Sequence, residues 1–515
     1  MAVRVRAAGR VVLLFTPVVL FATPDAWIPA RWTGGPLELE RHGSTAAAVR
    51  DPARRGAIAD WYDAATLDLL RDSPINCLLV TWSAGAAEAI ELRQRELVRP
   101  YAAKARARGL AVLGLIYPGA DPARFVPAAA AARLDGLVLD GEFPSDFAEA
   151  VQRAMSAVSP SVVVIPILKD AALVRAAAAP IIAVEGEWPG AHNLADMGIR
   201  AGPSSEPWIQ SNIWLVHSFC CFGTSRPVWI ASRPGDERKA NYARAVADAA
   251  AAGGRWIVTL DDDLRIDLRR GEAGAIAAWR DIGECLHFAE EHAGWRRFAP
   301  YGNLGVIVDP AGSGEMTDEY LKLLVRRQVP YRLIVRGLLG AAALAGFRAL
   351  LATELVNPTP AERAILTSFA ERGGLVVAGP AWGEVPAGQV SADRPIGRGR
   401  LAVYREPEPE LMAREMRDLL SLNEAGMIPF NVPSVITYAS REAGGARLLI
   451  QLLNYSDSPA RDITIRVSGR FRAARLYTPG YGATDLATTP ADGRTDVTIP
   501  RLSLWGAVVL EGDTP

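Results

Sequence analysis

Three clusters of carboxylates close apolar, β-rich runs of this chain, and they are the first residues to consider for chemistry. The run GLVLDGEFP carries Asp140 and Glu142, IIAVEGEWPG carries Glu185 and Glu187, and WIVTLDDDLR carries Asp261, Asp262 and Asp263. Residues two apart on a strand point to the same side, so each acid-Gly-acid pair is expected to turn both carboxylates to one face. The glycine between them would admit close backbone approach by a ligand. Two carboxyl groups across a pocket suit glycosidic bond cleavage: one, protonated, assists the leaving group, and the other, ionised, acts as nucleophile or base. A like charge alongside raises the pKa of the acid. Helix capping and ion pairing are the structural alternatives for any such residue. Asp261, next to its strand, is the best placed of its run.

A sugar site also wants aromatic platforms and hydrogen-bonding side chains. Trp82, Tyr117, Trp188 and Trp214 lie at or beyond strand ends, and Asn193, Asn212 and Arg233 are placed to reach the same mouth. His42 is expected to contact substrate hydroxyls. Each of these alone has an ordinary packing role, so their convergence carries the weight. The five histidines are scattered, and neither HExxH nor CxxC occurs; no metal and no cofactor is expected. Four cysteines in 515 residues make no disulfide framework.

The elements that would position these groups follow from the pattern. Up to about residue 298, short β-rich runs alternate with Ala-rich helical stretches, the mark of repeated βα units around a parallel sheet. Strands are expected at 37–41, 77–82, 111–117, 136–142, 162–168, 181–187, 228–232 and 256–261. Helices are expected at 63–71, 87–108, 122–133, 145–158, 170–178, 208–220 and 239–252, and a closing helix at 275–292. Eight such units match a closed (β/α)8 TIM barrel whose catalytic groups lie at the C-terminal ends of the strands. A second α/β pattern from residue 301 suggests a flavodoxin-like open sheet, without GxGxxG or a Walker motif. Beyond residue 435, alternating strands between Gly, Pro and Asp turns suggest a C-terminal β-sandwich. The stretch 394–410 is expected to connect the last two modules. The expected division is 1–26 signal peptide, 27–298 barrel, 299–429 middle α/β domain and 430–515 β-sandwich.

This order of modules resembles the three-domain β-galactosidases of glycoside hydrolase clan A, whose middle domain is related to class I glutamine amidotransferases and mediates trimer contacts. The resemblance is architectural and covers nearly all of the chain after the leader. The run RLLIQLLNYSDSPA looks like the accessory β-domains of such hydrolases. In the middle domain, LVVAGP stands where an amidotransferase needs its nucleophilic cysteine, and no cysteine follows Cys285, which excludes that activity. Clan A enzymes place an acid/base Glu after Asn at the fourth strand end and a nucleophile Glu at the seventh. Here Asp140 and Glu142 fill the fourth position without the Asn, and the seventh strand ends VWIASRP without a carboxylate. Use of the fourth and sixth strand ends is more similar to the α-galactosidase clan.

The expected function is cleavage of a neutral or weakly charged glycan, with Asp140 or Glu142 on one side of the scissile bond and Glu185 or Glu187 on the other. A non-catalytic carbohydrate-binding or envelope-assembly protein, and a lyase or metal-assisted hydrolase using Asp261 to Asp263, are the alternatives. Arg4, Arg6 and Arg10 before the apolar run 11–22 read as a secretory signal, hence an exported, periplasmic or extracellular protein without stable membrane insertion. Lys and Arg number 56 against 57 Asp and Glu, which gives no electrostatic footprint for nucleic acid. A homo-oligomer through the middle domain is implied by the resemblance.

Overall fold

A computed structural model describes residues 23–43, 51–169, 179–192, 208–221, 226–235, 238–309, 315–420, 424–432 and 434–512. The expected helix at 170–178 lies outside them. Parallel strands Pro29–Arg31, Cys77–Ser83, Ala111–Ile116, Gly136–Leu139, Val163–Leu168, Ile182–Glu185 and Val228–Ala231 pair in chain order. The eighth strand is split around Ile257: Arg255–Trp256 pairs with the seventh strand and Val258–Thr259 with the first, which closes the barrel. Alternate residues face the interior: Cys77, Leu79, Leu113, Leu115, Val138, Ile165, Ala183, Trp229 and Ile257 form one buried cluster. The intervening set, including Leu78, Val80, Trp82, Leu137, Val184 and Ile230, belongs to a larger cluster shared with the surrounding helices.

Three expectations need correction here. The helix expected at 208–220 is Ile213–Cys221, and Trp208–Gln210 is a short strand paired with Gly190–His192. The first strand is Pro29–Arg31, not 37–41, which lies in the helix Gly35–Gly43. The alternation LELER imitates a strand, but Leu37 and Glu38 are adjacent and both buried, which a strand with one buried face does not allow. The stretch 394–410 is not a linker. It holds most of the edge hairpin Ser391–Ile396 and Gly399–Tyr404 and the start of the helix Pro409–Leu419. The helix Asp262–Arg270 was not anticipated.

The middle sheet runs in the order Tyr331–Val335, Leu304–Val308, Ala349–Ala352, Leu375–Ala378, Gly399–Tyr404, all parallel, with Ser391–Ile396 antiparallel at its edge. Helices Glu315–Arg326 and Pro360–Glu371 cross over between its strands. The last module packs a six-stranded sheet, built around Val435–Arg441, Arg447–Asn454, Trp505–Gly512 and Phe471–Thr478, against a four-stranded one. Ile450 and Leu452 from the first meet Ile463, Ile465 and Val497 from the second in one buried cluster. Strands Ala299–Pro300 and Met427–Phe430 join these two sheets. No helix among the described residues is long and apolar enough to cross a membrane.

One buried histidine ties the three modules. His217, on the barrel helix Ile213–Cys221, stacks on Tyr331 of the middle sheet at 4.8 Å and meets Tyr438 of the sandwich edge-on at 5.6 Å. Burial lowers its pKa to about 4, so the unfolded chain takes up a proton that the native one refuses. Stability is therefore full above the unfolded value near 6.5, falls as pH drops toward 4, and is then reduced by about 3 kcal/mol. His217→Phe, which keeps an aromatic stack, is expected to flatten this part of the pH profile of Tm. An unchanged slope between pH ~6.5 and ~4 would count against it.

Candidate active site at the barrel mouth

The interior parity of the strands, carried to their C-terminal ends, defines the top layer of the barrel. Arg31, Thr81, Tyr117, Asp140, Glu185 and Arg233 continue the inward-facing positions of their strands, and Lys169 follows the fifth. Asp140 is the centre of this layer. Its Oδ2 accepts from Arg31 Nη1 at 2.6 Å and from Arg233 Nη2 at 3.0 Å. Burial alone would raise the carboxyl, but the charges and hydrogen bonds of the two arginines outweigh it and hold Asp140 below the ordinary aspartate range. It is an ionised carboxylate in a desolvated position.

Glu38, from the helix Gly35–Gly43, reaches the same layer at Thr81. Its Oε1 lies 2.8 Å from Arg41 Nη1 and 3.2 Å from His42 Nε2, and its Oε2 accepts from Thr81 Oγ1 at 2.9 Å. Burial pushes this carboxyl up, yet the hydrogen bond with His42, the charges of Arg41 and His42 and the Thr81 hydroxyl bring it down to about 2. A depressed folded pKa contributes stability above the unfolded value near 4.5 that is lost as pH falls toward 2; the shift corresponds to about 3 kcal/mol. Glu38→Gln should therefore lower Tm clearly at pH ~6 and much less at pH ~2. Equal deficits at both would contradict this role. The Tyr117 hydroxyl is buried without a hydrogen-bond partner among the described residues, and the Arg41 guanidinium lies 3.3 Å from its ring centre. Burial and the nearby Glu38 raise this phenol well above its usual range.

A cavity of about 780 Å³ opens at the first, seventh and eighth strand ends, with Arg31, Glu38, His42, Arg233, Asp261 and Arg265 in its wall; Asp140 and Glu185 are not part of that wall. Of the residues singled out from sequence, His42, Arg233 and Asp261 to Asp263 line it, and Tyr117 lies in the layer beneath. Asp261 caps the helix Asp262–Arg270, its Oδ1 accepting from Leu264 N at 2.6 Å, and its Oδ2 accepts from the Tyr242 hydroxyl. Asp263 pairs with Arg54 through two bonds of 3.1 and 2.8 Å.

The two acid-Gly-acid runs do not present their members alike. The fourth strand ends at Leu139, and Gly141 turns at φ +133, where an added Cβ would stand 2.7 Å from Pro118. Asp140 therefore goes inward, while Glu142 is exposed and pairs with Lys169 at 3.0 Å. The sixth strand ends at Glu185. A Cβ at Gly186 would collide with Asn212 Oδ1 and Ile230, both at 2.5 Å, so this glycine serves packing. Glu187 turns to the middle domain and pairs with Lys322 at 3.1 Å. Glu185 is exposed at the mouth with no ion pair among the described residues. Lys169, raised in pKa mainly by its hydrogen bond to Glu142, also feels Glu185 and Arg233, which brings the fourth to seventh strand ends around one charge cluster.

Four expected contact residues have other employment. Trp82 points outward and its Nε1 donates to Phe125 O at 3.5 Å. Trp188 packs edge-on against Tyr242 and Trp256 at 5.2 and 5.1 Å, outside the barrel wall. Trp214 is buried where the middle domain docks, with Lys322 Nζ 5.1 Å from its ring centre. Asn212 is buried and binds Glu187 N and O and Asp248. Asn193 lies outside the described residues. Among the described residues no group of three or more His, Cys, Asp or Glu is placed to hold a metal ion. Sequence reasoning missed Arg31, Glu38, Thr81 and Lys169. Finding the first three required locating the true first strand and telling the inward face of strand Cys77–Ser83 from its outward one.

The fold and the site define a three-module protein: a closed (β/α)8 barrel with buried charge at its C-terminal mouth, followed by an open α/β sheet and a β-sandwich. Known structures bear out the architecture. The α-L-fucosidase isoenzyme 2 of Paenibacillus thiaminolyticus is similar with a TM-score of 0.56 at 11% identity, over 88% of this chain and 96% of that one. Gan42B, a GH42 β-galactosidase from G. stearothermophilus, is similar with a TM-score of 0.51 at 9% identity, over 95% and 98%. At such identities the likeness concerns the fold. No protein-family model matches the chain, and no curated protein matches it in sequence.

Proposed function

We propose that the chain is an exported glycoside hydrolase that cleaves a glycosidic bond of a glycan at the barrel mouth. One observation carries it: Asp140, at the end of the fourth strand, is held ionised between Arg31 and Arg233, and these two arginines line a cavity of about 780 Å³. Cleavage passes through an oxocarbenium-like transition state, and a fixed, desolvated carboxylate opposite the developing positive charge favours it over the ground state. Asp140 acts as nucleophile or as electrostatic partner of that cation. Both guanidiniums bind Oδ2, and neither binds Oδ1. The proton for the leaving oxygen comes from a second carboxyl, and Glu185 is the candidate, being at the mouth and free of ion pairs among the described residues. Glu142 and Asp261 are secondary. The strand order of the middle domain supports a flavodoxin-like reading, with association of copies through it. The basic and then apolar leader supports export.

Screening the purified protein against aryl glycosides and oligosaccharides tests the proposal, and release of aglycone from at least one is expected. A glycan-binding role without catalysis is favoured by the ties of Glu142 to Lys169 and of Glu187 to Lys322. Binding without product on prolonged incubation would establish that role instead.

A further inference from the structure

Between Glu185, where the sixth strand ends, and the helix Ile213–Cys221 the chain leaves the barrel wall, and the described part of this excursion holds Glu187 and the paired strands Gly190–His192 and Trp208–Gln210. Glu185 has no side-chain hydrogen bond or ion pair among the described residues, so its place depends on the backbone that follows it. That backbone is held from two sides. From the barrel, Asn212 binds Glu187 twice, its Oδ1 accepting from the backbone N at 2.9 Å and its Nδ2 donating to the backbone O at 2.8 Å. From the middle domain comes one face of the helix Glu315–Arg326, on which residues four apart lie above one another. Lys322 Nζ donates to Glu187 Oε1 at 3.1 Å, and Arg326 donates from Nε to Ile209 O at 2.7 Å with its guanidinium 3.3 Å from the Trp208 ring centre. Arg326 keeps this place at a cost to folding. Its Nη1 is buried without a hydrogen-bond partner, it pairs with no acid among the described residues, and burial lowers its pKa to about 10.

We propose that Lys322 and Arg326 are positioning residues for Glu185, so that the middle domain is a working part of the mouth and sets where the proton donor stands. This rests on the reading of Glu185 as that donor and extends it. A general acid has to lie within hydrogen-bond reach of the leaving oxygen, and a misplacement of about 1 Å costs on the order of 10²-fold in rate. The two cations take the excursion near both ends: Lys322 at Glu187, just after the donor, and Arg326 at Ile209, shortly before the Asn212 that fixes Glu187. Only Gly186 lies between Glu187 and the donor. Its N donates to Ala231 O at 2.9 Å, and Asn212 and Ile230 pack within 2.5 Å of where a Cβ would be, so a shift at Glu187 passes to Glu185 with little slack.

The test compares the full chain, Glu185→Gln and the double variant Lys322→Met with Arg326→Met on aryl glycosides of graded leaving-group ability. In the double variant kcat should fall about tenfold or more for poor leaving groups and about twofold or less for good ones, with KM moving little. A role confined to stability would lower kcat by one factor across the series, so the graded loss separates the two. Lys322→Arg, which keeps the charge, should stay within about twofold of wild type throughout. Hydrogen exchange reads the grip without turnover: the amides of Gly186 and Glu187 should exchange about tenfold faster in the double variant. Should the double variant not fold, Lys322→Met alone, whose ion pair is partly exposed, carries the same comparison with a graded loss of about threefold. A uniform loss or none, while Glu185→Gln shows the graded one, overturns the inference and leaves the reading of Glu185 standing. Unchanged exchange at both amides overturns it as well. A Glu185→Gln variant without a graded loss, or a wild type that cleaves no glycoside, removes the donor reading and the inference together.

Discussion

Asp140→Asn is expected to lower kcat by about 10³-fold or more, with KM hardly raised. The substitution removes the one negative charge placed against the transition-state cation, and an amide in the same volume cannot replace it. The two guanidiniums and the rest of the wall remain to hold the ground state, so kcat falls while KM moves little. This divergence separates a role in chemistry from a merely structural one. A variant whose kcat and KM both stay near wild-type values would remove Asp140 from the mechanism. Some loss of Tm will accompany it, because Arg31 is buried and loses its counter-charge. Glu185→Gln serves as the companion: it leaves the Asp140 cluster intact and should slow substrates with poor leaving groups most, as loss of a proton donor does.

Asp248→Ala is expected to cost about 3 to 5 kcal/mol of stability, on the order of 10 °C in Tm. Asp248 lies on the barrel helix Lys239–Ala251 and is fully buried. Its Oδ1 accepts from Ser211 Oγ at 2.6 Å and from the Tyr455 hydroxyl, and its Oδ2 accepts from Asn212 N at 2.7 Å and Nδ2 at 3.0 Å. Burial pushes this carboxyl up, and the four donors pull it back only in part. Tyr455 belongs to the sandwich and Asn212 holds the loop after Glu185, so one carboxylate joins barrel, sandwich and mouth. Alanine would take the acceptor from Ser211 Oγ, Tyr455 Oη and Asn212 N and leave Asn212 Nδ2 with Glu187 O alone. Tyr455→Phe removes one of them and should cost about 1 kcal/mol. If Asp248→Ala unfolds within a degree or two of wild type, the junction is not held by this network.

The sequence reveals the strand ends better than it reveals which side chains face into the mouth. Seven of the eight barrel strands, the parallel strands of the middle sheet though not its edge strand Ser391–Ile396, and most strands of the sandwich follow from apolar runs between turns and helices. The missed first strand is three residues long and opens on proline, so it carries no pattern. With it went Arg31, whose role is visible only in three dimensions. Strand Cys77–Ser83 is buried on both faces throughout, as a strand between barrel interior and helices must be. No alternation then tells Thr81, which faces the mouth, from Trp82, which faces a helix. Parity failed at Asp140 and Glu142 for another reason: it holds within a strand, and this one stops at Leu139 before a glycine at positive φ. Asp261 was legible twice over, since the same acidic run that ends a strand is an N-cap followed by two first-turn acids.

Hydrolysis itself can be read directly. In water enriched in heavy oxygen, the protein acting on the best substrate of the aryl glycoside panel should release a reducing sugar that carries one heavy oxygen, while Asp140→Asn releases none above background. Product formed without the heavy oxygen would mean elimination rather than hydrolysis, and an equal yield from the variant would mean that the carboxylate between Arg31 and Arg233 is not where the bond is broken.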